Sequence, residues 1–215
     1  MYLSDNDLRK AIKAKRLIVN PVGTIGANAI DVHLDSVDQA RIWDTEQLKA
    51  DNKERGLPEL QLNVARMDYG AIALKYQVAP PREKDAPAGA KVVRRDNCIV
   101  VQPGGFVLWQ TREIIGTPEI KPLFICFIDG KSTRARTGLV VHLTAPTIHA
   151  GWSGNVTLEM TNCGPLELVL NEGDAVAQII VAQLTQPPSF GATHYKSATH
   201  KQTTVAGTKK ARPSS

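Results

Sequence analysis

The chain has 215 residues, 42% hydrophobic and 22% charged, which allows a sizeable core and is ordinary for a soluble globular protein. Its cysteines, Cys98, Cys126 and Cys163, lie far apart without CxxC spacing, so neither a disulfide framework nor a Cys-rich zinc site is predicted and a reducing, cytoplasmic setting is expected. No long apolar run occurs, so no membrane span is predicted. The net charge of +5 equals the five positive charges after Gln186, so the body of the chain is close to neutral.

A short helix and a half-buried strand are predicted first. Ser4 is a good helix N-cap, with acidic residues in the next turn and basic residues further on, and the helix would cover the open side of a sheet. Residues 28–34 alternate apolar and polar side chains, which predicts a strand with Asp31 and His33 facing away from the core.

Between residues 45 and 95 the pattern weakens into charged, proline-containing segments. One strand is predicted at 71–78, and the remainder is interpreted as a loop-rich insertion within a single domain spanning 1–215. The residue pattern assigns no function to this insertion.

Short strands then follow one another closely. Segments 98–101 and 106–110 predict a hairpin around Pro103, and 123–128 predicts a buried strand that ends in a turn at Asp129 and Gly130. Further strands are predicted at 139–143, 155–160, 166–170 and 175–182. Many short strands and few helices indicate a mainly β fold, a distorted β-barrel or a jelly-roll-like sandwich with a short N-terminal helix.

Residues 186–215 form a basic tail without Asp or Glu. Such a tail is usually a solvated, mobile end; alternatively it folds over a polyanion such as a triphosphate. Nucleic acid is a less favoured partner, because no aromatic residues interleave with these lysines as a stacking platform.

The familiar zinc and phosphate motifs are missing from the sequence. It has no HxE paired with PCxxC, no HExxH and no GxxxxGK[ST], so neither protein-ligated zinc nor a P-loop is predicted. His142 is isolated and is interpreted as an ordinary strand-face histidine.

The segment KSTRAR, residues 131–136, is the first candidate site. A short helical start there would present basic side chains to an anion; equally, it would be a solvated turn with Ser132 as a helix cap. Glu159 favours a binding site, because it shares its strand face with Thr157 and a partly enclosed carboxylate near a Ser and an Arg can act as a general base.

These blocks together resemble a known family. DGKSTRARTGLVVHLTAPTIHAGWSGNVTLEMTNCGPLEL, with NAIDVHLD and QPGGFVLWQT before it and EGDAVAQIIVAQL after it, looks like the dCTP deaminase branch of the dUTPase-like superfamily. The likeness covers about residues 1–44 and 96–207. It implies a homotrimer with shared active sites that binds dCTP with Mg²⁺ and removes the 4-amino group without zinc.

The resemblance also implies roles for individual residues. Glu159 would be the general base, Ser132 would hold the water and cytosine, and Arg136 would orient the base and the carboxylate. The residues that it places around the substrate are Lys131, Thr133, Arg134, Ala135, Ala145, His149, Thr157, Leu158, Gln178, Tyr195, Lys201 and Gln202. Lys131 stands where the family usually has an arginine, and it keeps the charge but loses the bidentate fork.

His149 departs from the family pattern. The family usually has an Asp there, the residue that dUTPases use as base in attacking the α-phosphate, so the histidine weakens the case for pyrophosphatase activity. Deamination of dCTP to dUTP is therefore the first hypothesis. The alternatives are a dUTP pyrophosphatase or bifunctional dUMP-forming enzyme, a non-catalytic nucleotide-binding regulator, and an enzyme acting on a modified cytosine nucleotide.

Overall fold

The computed structural model describes residues 1–66 and 68–189. Within them, residues 1–42 and 78–189 form one compact unit and residues 43–77 form a second. No helix in this part of the chain is both long enough and apolar enough to cross a lipid bilayer.

The larger unit is built mainly from short antiparallel strands. They are β1 (Ile18–Asn20), β2 (Ile30–His33), β5 (Val92–Arg95), β6 (Cys98–Val101), β7 (Phe106–Gly116), β8 (Phe124–Gly130), β9 (Leu139–Val140), β10 (Thr147–Ile148), β11 (Ser153–Asn162), β12 (Leu168–Asn171) and β13 (Ala175–Gln183). Strands β3 (Ile42–Trp43) and β4 (Gln77–Val78) stand where the chain passes from one unit to the other.

Two four-stranded sheets carry the core of the larger unit. Their strand orders are β1-β7-β11-β9 and β10-β8-β13-β2, and a smaller sheet has the order β12-β6-β5. The predicted mainly β fold is confirmed. Among the described residues the strands form separate sheets, and none of these sheets closes on itself as a single barrel.

One apolar cluster joins the inward faces of both large sheets. Ile30 and Val32 of β2, Trp109 of β7 and Leu158 of β11 are fully buried in it. Ile30, Val32 and Leu158 follow the period-two alternation of their strands, so every second side chain there leaves water. Trp109 lies instead in a continuous buried run over residues 107–111 of β7. Burial of one such side chain stabilises the fold by about 1.5–3 kcal/mol.

Helix α1 (Asp5–Lys13) begins where the sequence predicts. The Ser4 side chain accepts a hydrogen bond from the backbone N–H of Asp7 and so caps the helix. Leu8 and Ala11 are buried against the core, and Ile12 packs partly against it. The helix ends at Lys13, before Pro21 is reached.

The predicted hairpin of β6 and β7 is wrong. Strand β6 pairs with β5 and β12, whereas β7 pairs with β1 and β11 in another sheet. The turn between them hydrogen-bonds to β11: the Gly104 N–H donates to the Asn162 carbonyl, and the Asn162 N–H donates to the Gly105 carbonyl. These bonds direct the chain away from β6 and into the larger sheet.

The strand predicted at 71–78 is also wrong, because α3 (Tyr69–Tyr76) occupies most of it. Asp68 caps this helix by accepting from the Ala71 N–H, and Ala73 and Tyr76, three positions apart, are its buried residues. A second helix, α2 (Thr45–Glu54), lies in the same unit, so the segment contains helices where loops were predicted.

Asp51 of α2 is the polar centre of the smaller unit. Its carboxylate forms an ion pair with Lys75 and accepts hydrogen bonds from the Tyr76 hydroxyl at 2.5 Å and the Gln47 amide at 2.9 Å. The Lys75, Tyr76 and Gln47 hydrogen bonds hold the pKa of Asp51 well below its usual value.

Candidate active site

Strand β11 presents Glu159 on its half-buried face. Val156, Leu158 and Met160 point into the core, while Thr157 and Glu159 face the other side, as the alternation predicts. Glu159 stands opposite Leu108 of β7. Within residues 1–66 and 68–189, its carboxylate forms no hydrogen bond or ion pair.

An irregularity in β7 determines which β7 residue stands opposite Glu159. Residues 111–113 of β7 stand opposite Val156 alone, which shifts the register of the two strands. The shift is held by polar contacts: the Val156 N–H donates to Thr111 Oγ1 at 2.9 Å, and the Asn155 side chain donates to the Thr111 carbonyl at 2.9 Å.

The KSTRAR segment forms a single exposed helical turn, α4 (Ser132–Ala135). The turn predicted at Asp129 and Gly130 is wrong by two residues, because β8 continues through Gly130 while it is paired with β13. Lys131, not Ser132, occupies the N-cap position. The exposed side chains of the segment are those of Ser132, Thr133, Arg134, Ala135 and Arg136.

Lys131 forms an ion pair that no local sequence pattern predicts. Its Nζ lies 2.5 Å from Asp31 Oδ2 of β2, and the two side chains are 26% and 23% exposed. Gln178 of β13 stands between β2 and β8, opposite both Asp31 and Asp129. Lys131, Asp31 and Gln178 therefore belong to one polar surface of the β10-β8-β13-β2 sheet.

Two glycines anchor the end of the α4 segment. A Cβ on Gly138 would lie 2.3 Å from the Gly164 backbone nitrogen, and a Cβ on Gly164 would lie 2.3 Å from the Thr137 carbonyl oxygen. The backbones meet this closely because neither residue has a side chain. The Cys163 N–H also donates to the Gly138 carbonyl at 2.8 Å.

The loop between β9 and β11 carries the remaining predicted residues. Ala145 and His149 are exposed on either side of β10. The loop is held by hydrogen bonds from the Gly151 N–H to Thr117 Oγ1 at 2.7 Å and from the Trp152 N–H to the His149 carbonyl at 3.2 Å.

The predicted residues thus form two groups in different sheets. Lys131 and Gln178 lie together, whereas Glu159 and Thr157 lie on β11, and no hydrogen bond or ion pair links Glu159 to residues 131–136 in the described chain. The Leu158 side chain is buried in the core, so only its main chain is available to a substrate. Tyr195, Lys201 and Gln202 lie outside the described residues.

A buried acidic residue near the site was not predicted. Glu113 of β7 is fully buried and contacts His33 of β2. Alternation along β7 could have revealed it, because Glu113 falls in the same period-two register as the buried Trp109 and Ile115.

The described residues contain no group of three or more His, Cys, Asp or Glu side chains placed to hold a metal ion.

The fold and the sequence define the class of protein. In structure, the chain is similar to the 2′-deoxycytidine 5′-triphosphate deaminase from Agrobacterium tumefaciens, with a TM-score of 0.50 and 15% identity. The match covers 85% of this chain and 47% of that one, so this chain spans about half the length of the solved protein. This likeness concerns the fold.

The family follows from the sequence comparison. Residues 2–184 match the family model described as dCTP deaminase-like, and the chain belongs to this family of enzymes. It is 31% identical to a dCTP deaminase of Rhodospirillum rubrum, over 88% of this chain and 86% of the relative. It is also 31% identical to a dUMP-forming dCTP deaminase of Streptomyces avermitilis, over 88% and 84% of the two chains.

Proposed function

We propose that this protein is a dCTP deaminase that hydrolyses dCTP to dUTP and ammonia without zinc. The observation that carries the proposal is the family match over residues 2–184, which includes both halves of the candidate site. The half-buried Glu159 on β11 and the exposed Ser132 and Arg136 support the proposal, because the reaction needs a base and polar groups that hold the water and the cytosine.

Glu159 acts as the general base in the proposed reaction. It takes a proton from a water molecule as the water oxygen adds to C4 of cytosine. It then passes protons to the ring nitrogen and to the departing amine, so that one water is consumed and one ammonia is released. Ser132 and Arg136 hold the water and the base, with the main chain near Ala145 positioning the water.

The triphosphate would be bound on the other sheet. Lys131 and Gln178 offer a cation and an amide on one surface, and Lys131 exchanges its contact with Asp31 for a phosphate oxygen. Magnesium bound to the triphosphate supplies charge neutralisation. We propose a homotrimer in which Glu159 and the 131–136 segment of different subunits complete each site.

A product panel tests the proposed function. The purified protein is incubated with dCTP, dUTP or CTP and Mg²⁺, with and without a zinc chelator, and the nucleotides are separated by chromatography. We expect dUTP and ammonia from dCTP. A folded protein that converts none of the three nucleotides would refute the proposal, and loss of activity on zinc chelation would refute zinc independence.

Replacing Glu159 tests the mechanism. Glu159→Gln keeps the size and polarity of the side chain but removes the base, so turnover should fall by at least about 100-fold, the lower end of a general-base contribution. Binding of dCTP, measured by calorimetry, should change little. The exposed Glu167→Gln is the matched control and should keep wild-type turnover; an active Glu159→Gln variant would contradict the mechanism.

A second candidate function is direct formation of dUMP from dCTP. It is favoured by relatives at 30–31% identity that are named dUMP-forming dCTP deaminases. His149, where the family pattern has an Asp, argues for stopping at dUTP. Pyrophosphate released in step with ammonia would support the second candidate, whereas dUTP accumulation would support the first.

A further inference from the structure

Glu113 and His33 form a buried contact between the two large sheets. The His33 backbone N–H donates to Glu113 Oε2 at 2.8 Å, and the His33 ring nitrogen Nδ1 lies 2.7 Å from Oε1. The Glu113 side chain is fully buried and that of His33 is 19% exposed. The guanidinium of Arg112 lies 3.5 Å from Oε1.

A carboxylate in this position is costly to the fold. Removing a carboxylate from water is unfavourable unless hydrogen bonds and a nearby positive charge compensate. Well-packed apolar residues in place of a buried ion pair often leave the free energy of unfolding unchanged or raise it. The contacts with His33 and Arg112 satisfy the carboxylate. Its placement calls for a role beyond filling the core.

The location of the pair indicates that role. Glu113 belongs to the three β7 residues that stand opposite Val156 and set the register of β11, on which Glu159 lies. His33 belongs to β2, two residues after Asp31, the partner of Lys131. The contact therefore joins β7, which sets the register of the strand that carries Glu159, to β2, whose Asp31 is paired with Lys131.

We propose that Glu113 and His33 are positioning residues that brace the two sheets of each subunit, and so set the place at which that subunit presents Glu159 to one shared site and Lys131 to the next. This inference rests on the proposed deaminase function for its kinetic consequence. The brace acts through geometry, because Glu113 lies on β7 and His33 on β2, and no hydrogen bond or ion pair among the described residues links either of them to Glu159.

Three variants test the brace in the full-length protein. Glu113→Ala removes both contacts. His33→Ala removes the ring contact and keeps the backbone N–H bond to Oε2, and its partly exposed position tolerates truncation if the core variant fails to fold. Glu113→Gln keeps an acceptor for the His33 N–H and an amide that can bond the ring. Asp51→Asn is the matched control, since it weakens a largely buried carboxylate network in the smaller unit.

Turnover of dCTP is measured per folded molecule. Because a displacement near 1 Å can cost on the order of 100-fold in rate, we expect the two alanine variants to lose about 10- to 100-fold in kcat with KM within about threefold. Glu113→Gln should recover most of the loss, and Asp51→Asn should retain wild-type kcat. Folded alanine variants with wild-type kcat, or a Glu113→Gln variant as impaired as Glu113→Ala, would overturn the proposal.

Amide hydrogen exchange supplies a readout that does not depend on turnover. Amides of residues 111–114 and 155–158 should exchange several-fold faster in His33→Ala than in the wild type or in Asp51→Asn, because the register loses its support. If the wild type converts no nucleotide, the proposed function fails and exchange alone decides on the brace. Unchanged exchange in this region would overturn it.

Discussion

The burial of an individual residue can be predicted where the alternation of its own strand determines which face of the sheet it lies on. The alternation of residues 155–160 is sufficient to place Glu159 on the polar face of β11, and the structure has it there. The partner of Lys131 was not predictable from local pattern, because Asp31 is 100 positions away and reaches the lysine only through the pairing of β2, β13 and β8.

The Lys131 and Asp31 pair leads to a prediction about substrate affinity. Lys131→Met keeps much of the aliphatic stem but removes the cation, and a hydrogen bond to a charged group contributes about 1.5 kcal/mol or more. We expect KM for dCTP to rise about tenfold, with kcat changed much less, since tenfold corresponds to about 1.4 kcal/mol. Steady-state kinetics measure both constants.

The exposed Lys84→Met, in a different part of the chain, is the control for general loss of positive charge. It should leave KM unchanged at physiological ionic strength, where charges more than about 8 Å apart are largely screened. An equal rise of KM in both variants would mean that Lys131 acts only through the net charge of the protein.

At the scale of elements, hydrophobic periodicity and helix-capping residues predict where most helices and strands lie. The Ser4 cap and the strands β2, β8, β11 and β13 were recognised within a few residues. The hairpin of β6 and β7 failed because strand partners depend on non-local pairing. Helix α3 was missed because its apolar residues were interpreted as a strand, whereas the Asp68 cap and the spacing of Ala73 and Tyr76 favour a helix.

Helices α2 and α3 provide a prediction about acid stability. Because the pKa of Asp51 is lowered in the folded protein, its ionised carboxylate stabilises the fold above its unfolded pKa of about 3.9. This contribution declines as the pH falls below that value, toward the folded pKa. We expect amide protection in 45–54 and 69–76 to fall between about pH 4 and pH 2.

Asp51→Asn removes the titrating group and is the test of this assignment. The variant should be less protected than the wild type at neutral pH, and the difference between the two proteins should shrink as the pH approaches 2. A constant difference over the whole range would show that another carboxylate controls the acid response.

At the scale of the molecule, the mainly β class followed from composition and strand spacing, while the site followed from the resemblance carried by its sequence blocks. The division into two units was not predicted. The charged, proline-containing segment 45–95 lacks a clear apolar period, and a unit stabilised by the Asp51 network has little apolar pattern to recognise.

The proposed shared site makes a prediction about mixed assemblies. Glu159→Gln and Arg136→Ala should each be inactive alone, but subunits unfolded together and refolded as a mixture should regain part of the wild-type turnover. Some interfaces then pair an intact Glu159 with an intact Arg136. Light scattering should give three times the chain mass, and a failure of mixed trimers to regain turnover would place each whole site within one subunit.

The close backbone contact between Gly138 and Gly164 has a consequence for protein engineering. Both ends of the contact are backbone, so the α4 turn is attached by its main chain and its exposed side chains contribute little to that attachment. A library that keeps these two glycines, Ser132 and Arg136 and randomises residues 133–135 should therefore yield a high proportion of folded members. If the α4 turn contacts the nucleotide as proposed, such a library diversifies substrate preference at a small cost in foldability.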